Sequence, residues 1–154
     1  MEPNASAAEI AAEWVGIVCG EENPLSKLPE EKIKELHALA HYHYTKQHYA
    51  EATTYYRILA AARPLESKFW KGLGACQQMG HAYQDAIECY ASAQLLNGDQ
   101  PDPYLYIHAA DCYFALKQKA EGLGALESAR QWAQKYKDKR ILTHTKLMKS
   151  LWLN

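Results

Sequence analysis

His37 and His41 stand one helical turn apart, with His43 and His48 close behind. Two imidazoles at that spacing can hold a metal ion. No carboxylate or cysteine completes the set, however, and His-Glu-x-x-His is absent, so they read as amphipathic side chains of a binding face with a modest pH response near neutrality. The four cysteines, Cys19, Cys76, Cys89 and Cys112, form no Cys-x-x-Cys pair. The last three fall in helical stretches where a small thiol packs well, the pattern of a reduced chain without structural zinc or a disulfide framework. There is no Gly-rich phosphate loop, no Gly-x-Ser-x-Gly and no Cys/His pairing in a recognisable context. Gly72 and Gly74 flank Leu73 inside a helical pattern, which is a packing signal and not a nucleotide fingerprint. The chemistry left to the chain is non-covalent recognition by tyrosines, histidines and lysines, with no catalytic residue, metal or cofactor expected.

The elements that must position these side chains follow from a pattern that returns after 34 residues. Leu36, Leu39, Ala40, Tyr49, Ala52, Tyr56 and Pro64 are answered by Trp70, Leu73, Gly74, Tyr83, Ala86 and Tyr90. This is the spacing of tetratricopeptide repeats, each a helix-turn-helix unit that cannot bury its apolar face alone and therefore stacks. A small residue on the first helix (Ala40, Gly74) and another on the second (Ala52, Ala86) allow close approach, and Tyr56 and Tyr90 fill the space towards the next unit. A third copy is shifted by two residues across Asn97-Gly98-Asp99-Gln100-Pro101-Asp102-Pro103. It aligns Ala110 with Gly74 and places Tyr106, Ala109, Tyr113, Gly122, Leu126 and Ala129 at repeat positions, with Lys119 where the first two copies carry Tyr49 and Tyr83.

The expected architecture is all-α. Residues 1–29 form an N-terminal helix, about Ala5–Val18, and a linker; residues 30–136 form three repeats stacked as a concave right-handed solenoid; residues 137–154 form a C-terminal capping helix. Helix pairs are expected at about 30–46 and 50–62, 67–79 and 83–96, and 104–116 and 120–135. The last helix, near 138–152, carries Ile141, Leu142, Thr145, Met148 and Trp152 and covers the apolar end of the stack. The N-terminal stripe of Ile10, Trp14 and Ile17 either covers the first repeat or dimerises the chain.

Stacked pairs curve, with the first helix of each lining the concave side at positions 2, 5, 9 and 12, which share one face. These positions are Lys34, His37, His41 and Tyr44; Lys68, Lys71, Ala75 and Gln78; and Tyr104, Ile107, Asp111 and Phe114, with Tyr49 close by. Trp70, Tyr56 and Tyr90 sit on the packing face and are assigned to the core, whereas Tyr44, Tyr104 and Phe114 suit either core or groove. A mixed aromatic and apolar lining with a few polar groups fits an extended peptide held by apolar anchors and side-chain hydrogen bonds to its backbone.

Composition is compatible with this reading. The 154 residues are 48% hydrophobic with a net charge of -1, enough apolar material for a core and no clustered positive field for nucleic acid. No run reaches the length needed to cross a bilayer, and no secretory leader is visible.

Within this frame the chain resembles the class II type III secretion chaperones of the low-calcium-response H-like family. The residues that carry the resemblance are Leu36-His37-Ala38-Leu39-Ala40 with Tyr44 and Tyr49, Phe69-Trp70-Lys71-Gly72-Leu73-Gly74-Ala75-Cys76-Gln77-Gln78, Tyr83-Gln84-Asp85-Ala86-Ile87, and His108-Ala109-Ala110-Asp111-Cys112-Tyr113. The resemblance covers about residues 30–135. It implies a non-enzymatic bacterial cytoplasmic chaperone whose groove holds a Pro-x-Leu-x-x-Pro-like segment of hydrophobic translocator proteins. The family's groove aromatics map by motif onto His37, His41 and Tyr44, two of them histidines where relatives often carry Tyr or Phe. The rival readings are a chaperone of a needle subunit, which shares the fold, and a generic repeat adaptor for C-terminal carboxylates. The adaptor requires Lys, Asn and Arg at positions where only Lys71 fits among His37, His41, Ala75, Ile107 and Asp111.

Overall fold

The computed structural model describes residues 23–154. After a 3-10 turn at Pro24–Lys27 come seven helices: α1 (Glu30–Thr45), α2 (Tyr49–Ala62), α3 (Ser67–Met79), α4 (Tyr83–Leu96), α5 (Pro103–Ala115), α6 (Lys119–Tyr136) and α7 (Lys139–Leu153). No strand occurs among the described residues. Packing runs chiefly between successive helices, with α5 also touching α7. This is the serial arrangement of tetratricopeptide-repeat pairs α1–α2, α3–α4 and α5–α6. The helix expected over Ala5–Val18, with its candidate dimerisation residues Ile10, Trp14 and Ile17, lies outside the described residues.

Each first helix ends in the same way. The His48, Ala82 and Gln118 amides donate to the carbonyls of His43, Gln77 and Tyr113, five residues back, at 2.8, 2.8 and 2.9 Å. The residue before each of them, Gln47, His81 or Lys117, adopts φ 62°. This is a Schellman ending with a non-glycine residue in the left-handed position. It reverses the chain in a few residues and stacks the second helix on the first.

The small residues do the work expected of them, since Ala40, Ala52, Gly74, Ala86, Ala110 and Gly122 are all buried. A methyl group at Gly74 would sit 2.8 Å from the Tyr90 ring. That ring has little freedom to retreat, because the Tyr90 hydroxyl donates to Gln78 Oε1 at 2.7 Å and the His108 ring stacks on it at 5.5 Å. Helix propensity alone favours Gly74→Ala by about 1 kcal/mol, whereas forcing a carbon against a held ring costs about 1–3 kcal/mol. Gly74→Ala is therefore expected to lower, not raise, the midpoint of chemical unfolding.

Tyr56 and Tyr90 are core residues, and Trp70 bridges the cores on either side of it while its indole N–H donates to the Pro64 carbonyl at 2.8 Å. Leu39 departs from its repeat counterpart Leu73, being 42% exposed where Leu73 is buried. Among the described residues no helix precedes α1 to cover it. The insertion before α5 is tied down by Gln94, whose amide group donates to the Asp102 carbonyl at 2.9 Å and whose Oε1 accepts from the Asp102 amide at 2.8 Å. Asp102 then caps α5 by accepting from the Tyr104 amide at 2.9 Å. Beyond the third pair, α7 lays Ile141 and Leu142 against Ile107, Ala129 and Ala133, and Met148 and Trp152 against Ala110, Phe114 and Leu126.

Candidate functional site

The side chains expected to line the groove lie on the first helices of the three pairs. On α1, Lys34, His37, His41 and Tyr44 recur at steps of three and four residues, so they form one strip. Lys34 and His41 are exposed, while His37 and Tyr44 are half-buried. The His37 ring rests edge-on against Phe69 at 5.2 Å and Tyr56 at 5.9 Å. Burial pushes its pKa below the ordinary imidazole range, helped by Lys68 and His41 and opposed by Glu66. Tyr44 meets Tyr49, at the start of α2, edge-on at 5.6 Å. Burial also raises the Tyr44 phenol above its usual range, keeping it an uncharged hydrogen-bonding group.

On α3, Lys68 lies over the Phe69 ring at 5.0 Å and pairs with Glu66 at 3.1 Å. Lys71 pairs with Asp102 at 3.0 Å, tying α3 to the cap of α5. Ala75 is half-buried, and Gln78 is committed to the Tyr90 hydroxyl. Tyr104, Ile107 and Asp111 of α5 line a cavity of about 300 Å³ together with Arg140, Ile141 and His144 of α7, and His108 completes it. Burial raises the Asp111 pKa and His144 opposes the rise.

Two residues expected in the groove are not available at its surface. Phe114 is 2% exposed, its ring stacked on Trp152 at 4.1 Å and seated over Gly122. A ligand would have to displace Trp152 to reach it, so Phe114 takes the core alternative. Ile107 is 5% exposed and packs chiefly in the cluster with Ala129, Ala133 and Ile141, giving only an edge to the cavity. Sequence reasoning did not place His108, Arg140 or His144 at this face. His108 belongs to α5, whereas Arg140 and His144 belong to α7, a helix read from sequence only as a cap.

Among the described residues no three His, Cys, Asp or Glu side chains come together as metal ligands. His43 stacks on Tyr55 at 5.4 Å and lies 5.7 Å from His48, both on the α1–α2 turn side. Cys76, Cys89 and Cys112 are free and buried. Burial pushes their thiols up to about 11, 12 and 12, so they stay protonated and unreactive.

The two half-buried imidazoles should make stability depend on pH. His108, like His37, has its pKa lowered, first by burial, then by Lys71 and His144, with Asp102 opposing. Both groups bind a proton more readily in the unfolded chain than in the folded one. Stability should therefore be level above their ordinary value of 6.5 and fall as pH drops below it. Asp111, its pKa raised by burial, acts in the opposite sense, its contribution being lost as pH rises above the ordinary carboxylate value of 3.8. Thermal unfolding at pH 7.5 and 5.5 is expected to show a lower midpoint at 5.5. His108→Gln should reduce that drop, and a midpoint independent of pH would contradict the assignment.

The helix pairs and the strip they present define a tetratricopeptide-repeat solenoid. No protein-family model matches the chain. The low calcium response locus protein H of Yersinia pestis is 28% identical over 125 residues, spanning 80% of this chain and 73% of that protein. The Yersinia enterocolitica type III secretion chaperone SycD, solved in complex with a peptide of the translocator YopD, is 27% identical with a TM-score of 0.74, covering 82% of this chain and 95% of that one. An alternative dimer of SycD is 27% identical with a TM-score of 0.67, over 80% of this chain and 98% of that one. In sequence and in fold the chain is thus similar to type III secretion translocator chaperones of the low-calcium-response H and SycD kind.

Proposed function

We propose that this protein is a cytoplasmic chaperone that binds hydrophobic translocator proteins through an extended, Pro-x-Leu-x-x-Pro-like segment laid along the face of α1, α3 and α5. The observation that carries the reading is the strip itself: His37, Tyr44, Tyr49 and Ala75 offer apolar ground, rimmed by the polar ends of Lys34, His41, Lys68 and Lys71. SycD, which shares this fold, holds a peptide of the translocator YopD. Tyr104 and Asp111 continue the strip, and Gln78 shapes it by holding Tyr90. Each anchor side chain buried there contributes about 1.5–3 kcal/mol before ordering costs, so two or three anchors support micromolar binding. Covering the apolar segments of a protein destined for a membrane keeps that protein from aggregating.

Among the described residues no helix is long and apolar enough to cross a membrane. Homodimerisation, through Ile10, Trp14 and Ile17, belongs to the same reading, and SycD forms dimers. The carboxylate-adaptor reading is disfavoured because its one suitable cation, Lys71, is already paired with Asp102. A needle-subunit chaperone would differ in cargo, not in fold. Anisotropy titration of a labelled Pro-x-Leu-x-x-Pro peptide tests the proposal: saturable micromolar binding is expected, and no binding at millimolar protein would refute it.

A further inference from the structure

Helices α1, α3, α5 and α7 begin at residues 30, 67, 103 and 139, so α7 stands where the first helix of a fourth pair would stand. One of its faces packs on the third pair through Ile141, Met148 and Trp152. A neighbouring strip faces elsewhere: Arg140 and His144 line the cavity of about 300 Å³ opposite Tyr104, Ile107 and Asp111. Leu147 and Leu151 follow at three and seven residues from His144, on the same side of the helix. They are 59% and 65% exposed. Asp111 and Arg140 both border the cavity and bring a carboxylate acceptor and a guanidinium donor to it for a peptide backbone.

We propose that α7 is a fourth groove-lining helix, and that its cavity with α5 is a second anchor site for an apolar side chain of the same cargo segment. The cargo then runs on over Leu147 and Leu151. This rests on the face of α1, α3 and α5 being the cargo site, with which the cavity is continuous through Tyr104 and Asp111. Neighbouring helices pack about 8–10 Å apart, so the cavity lies roughly 20 Å from the α1–α3 anchors, a distance that about six extended residues span. A second copy of the chain is the weaker occupant. Two leucines and one cavity offer far less than the roughly 800 Å² per partner that a stable interface buries.

The test uses three labelled peptides: a Pro-x-Leu-x-x-Pro probe, and two versions lengthened by six residues, ending in two leucines, at the N-terminal or the C-terminal side. Each is titrated into the full chain, into His144→Trp, which fills the cavity, and into Leu147→Ser/Leu151→Ser. All three substitutions are at exposed positions. One lengthened peptide is expected to bind the parent chain about tenfold more tightly than the short one. Both variants should lose that gain and keep the short-peptide affinity. Short-peptide binding with no gain from either extension would overturn the α7 site while leaving the groove reading intact. A gain that survives in both variants would place the extension elsewhere and also overturn it. A change of mass in sedimentation for Leu147→Ser/Leu151→Ser, with peptide affinities unaltered, would assign the leucines to self-association and overturn it. Failure of the short peptide to bind the parent chain would remove the groove reading and this proposal together.

Discussion

Phe69→Ala is expected to lower folding stability by about 3–5 kcal/mol, the range for deleting a buried phenylalanine ring. Phe69 is fully buried near the start of α3, in the cluster that joins α1 and α2 to the second repeat. The loss is a large share of the 5–15 kcal/mol that holds a typical domain together. It also removes the surface against which His37 rests, which connects packing to the groove. Urea unfolding followed by circular dichroism measures the change. Phe69→Leu, which keeps most of the volume, should recover all but about 1.5 kcal/mol. A Phe69→Ala loss below about 1 kcal/mol would mean that the first and second repeats do not share this core.

The double substitution His41→Ala/Tyr44→Ala is expected to weaken binding of the Pro-x-Leu-x-x-Pro peptide by about 2 kcal/mol, roughly thirtyfold, with Tyr44 supplying at least about half. Tyr44 is a half-buried ring braced edge-on by Tyr49, so it presents contact area at little entropic cost. His41 is exposed one turn away on the same strip. Neither lies in the buried core of α1, which consists of Ile33 and Ala40. The double variant should therefore unfold within about 1 kcal/mol of the parent chain. Unchanged peptide affinity in a folded variant would remove both residues from the site.

The repeats were legible because close helix approach restricts residue type. Only small residues fit where Gly74 meets Tyr90 and Gly122 meets Phe114, and those positions recur with the pattern. The two-residue shift of the third copy was legible for the same reason, through Ala110. Phe114 shows where the register argument stops. Its spacing puts it on the groove strip, but Trp152, 38 residues later, stacks on it, and no local pattern announces that contact. The Lys71–Asp102 pair, which removes the groove's best-placed cation from general use, is likewise tertiary. The turn after α3 contains Gly80, whose φ is -83°. The positive φ falls on His81 instead, because the five-residue-back bond from Ala82 to Gln77 fixes which residue turns. In α7 the stripe of Ile141, Met148 and Trp152 read as a cover for the third repeat. The strip of Arg140, His144, Leu147 and Leu151 beside it became visible only with the cavity.

The central claim is that cargo lies on the face of the first helices, and amide chemical-shift mapping with the Pro-x-Leu-x-x-Pro peptide tests it most directly. The account predicts saturable shifts concentrated at His37, His41, Tyr44, Lys71 and Ala75, with Arg57, Glu88 and Glu121 on the second helices unmoved. Shifts concentrated on α2, α4 and α6, with α1 and α3 silent at saturation, would contradict it.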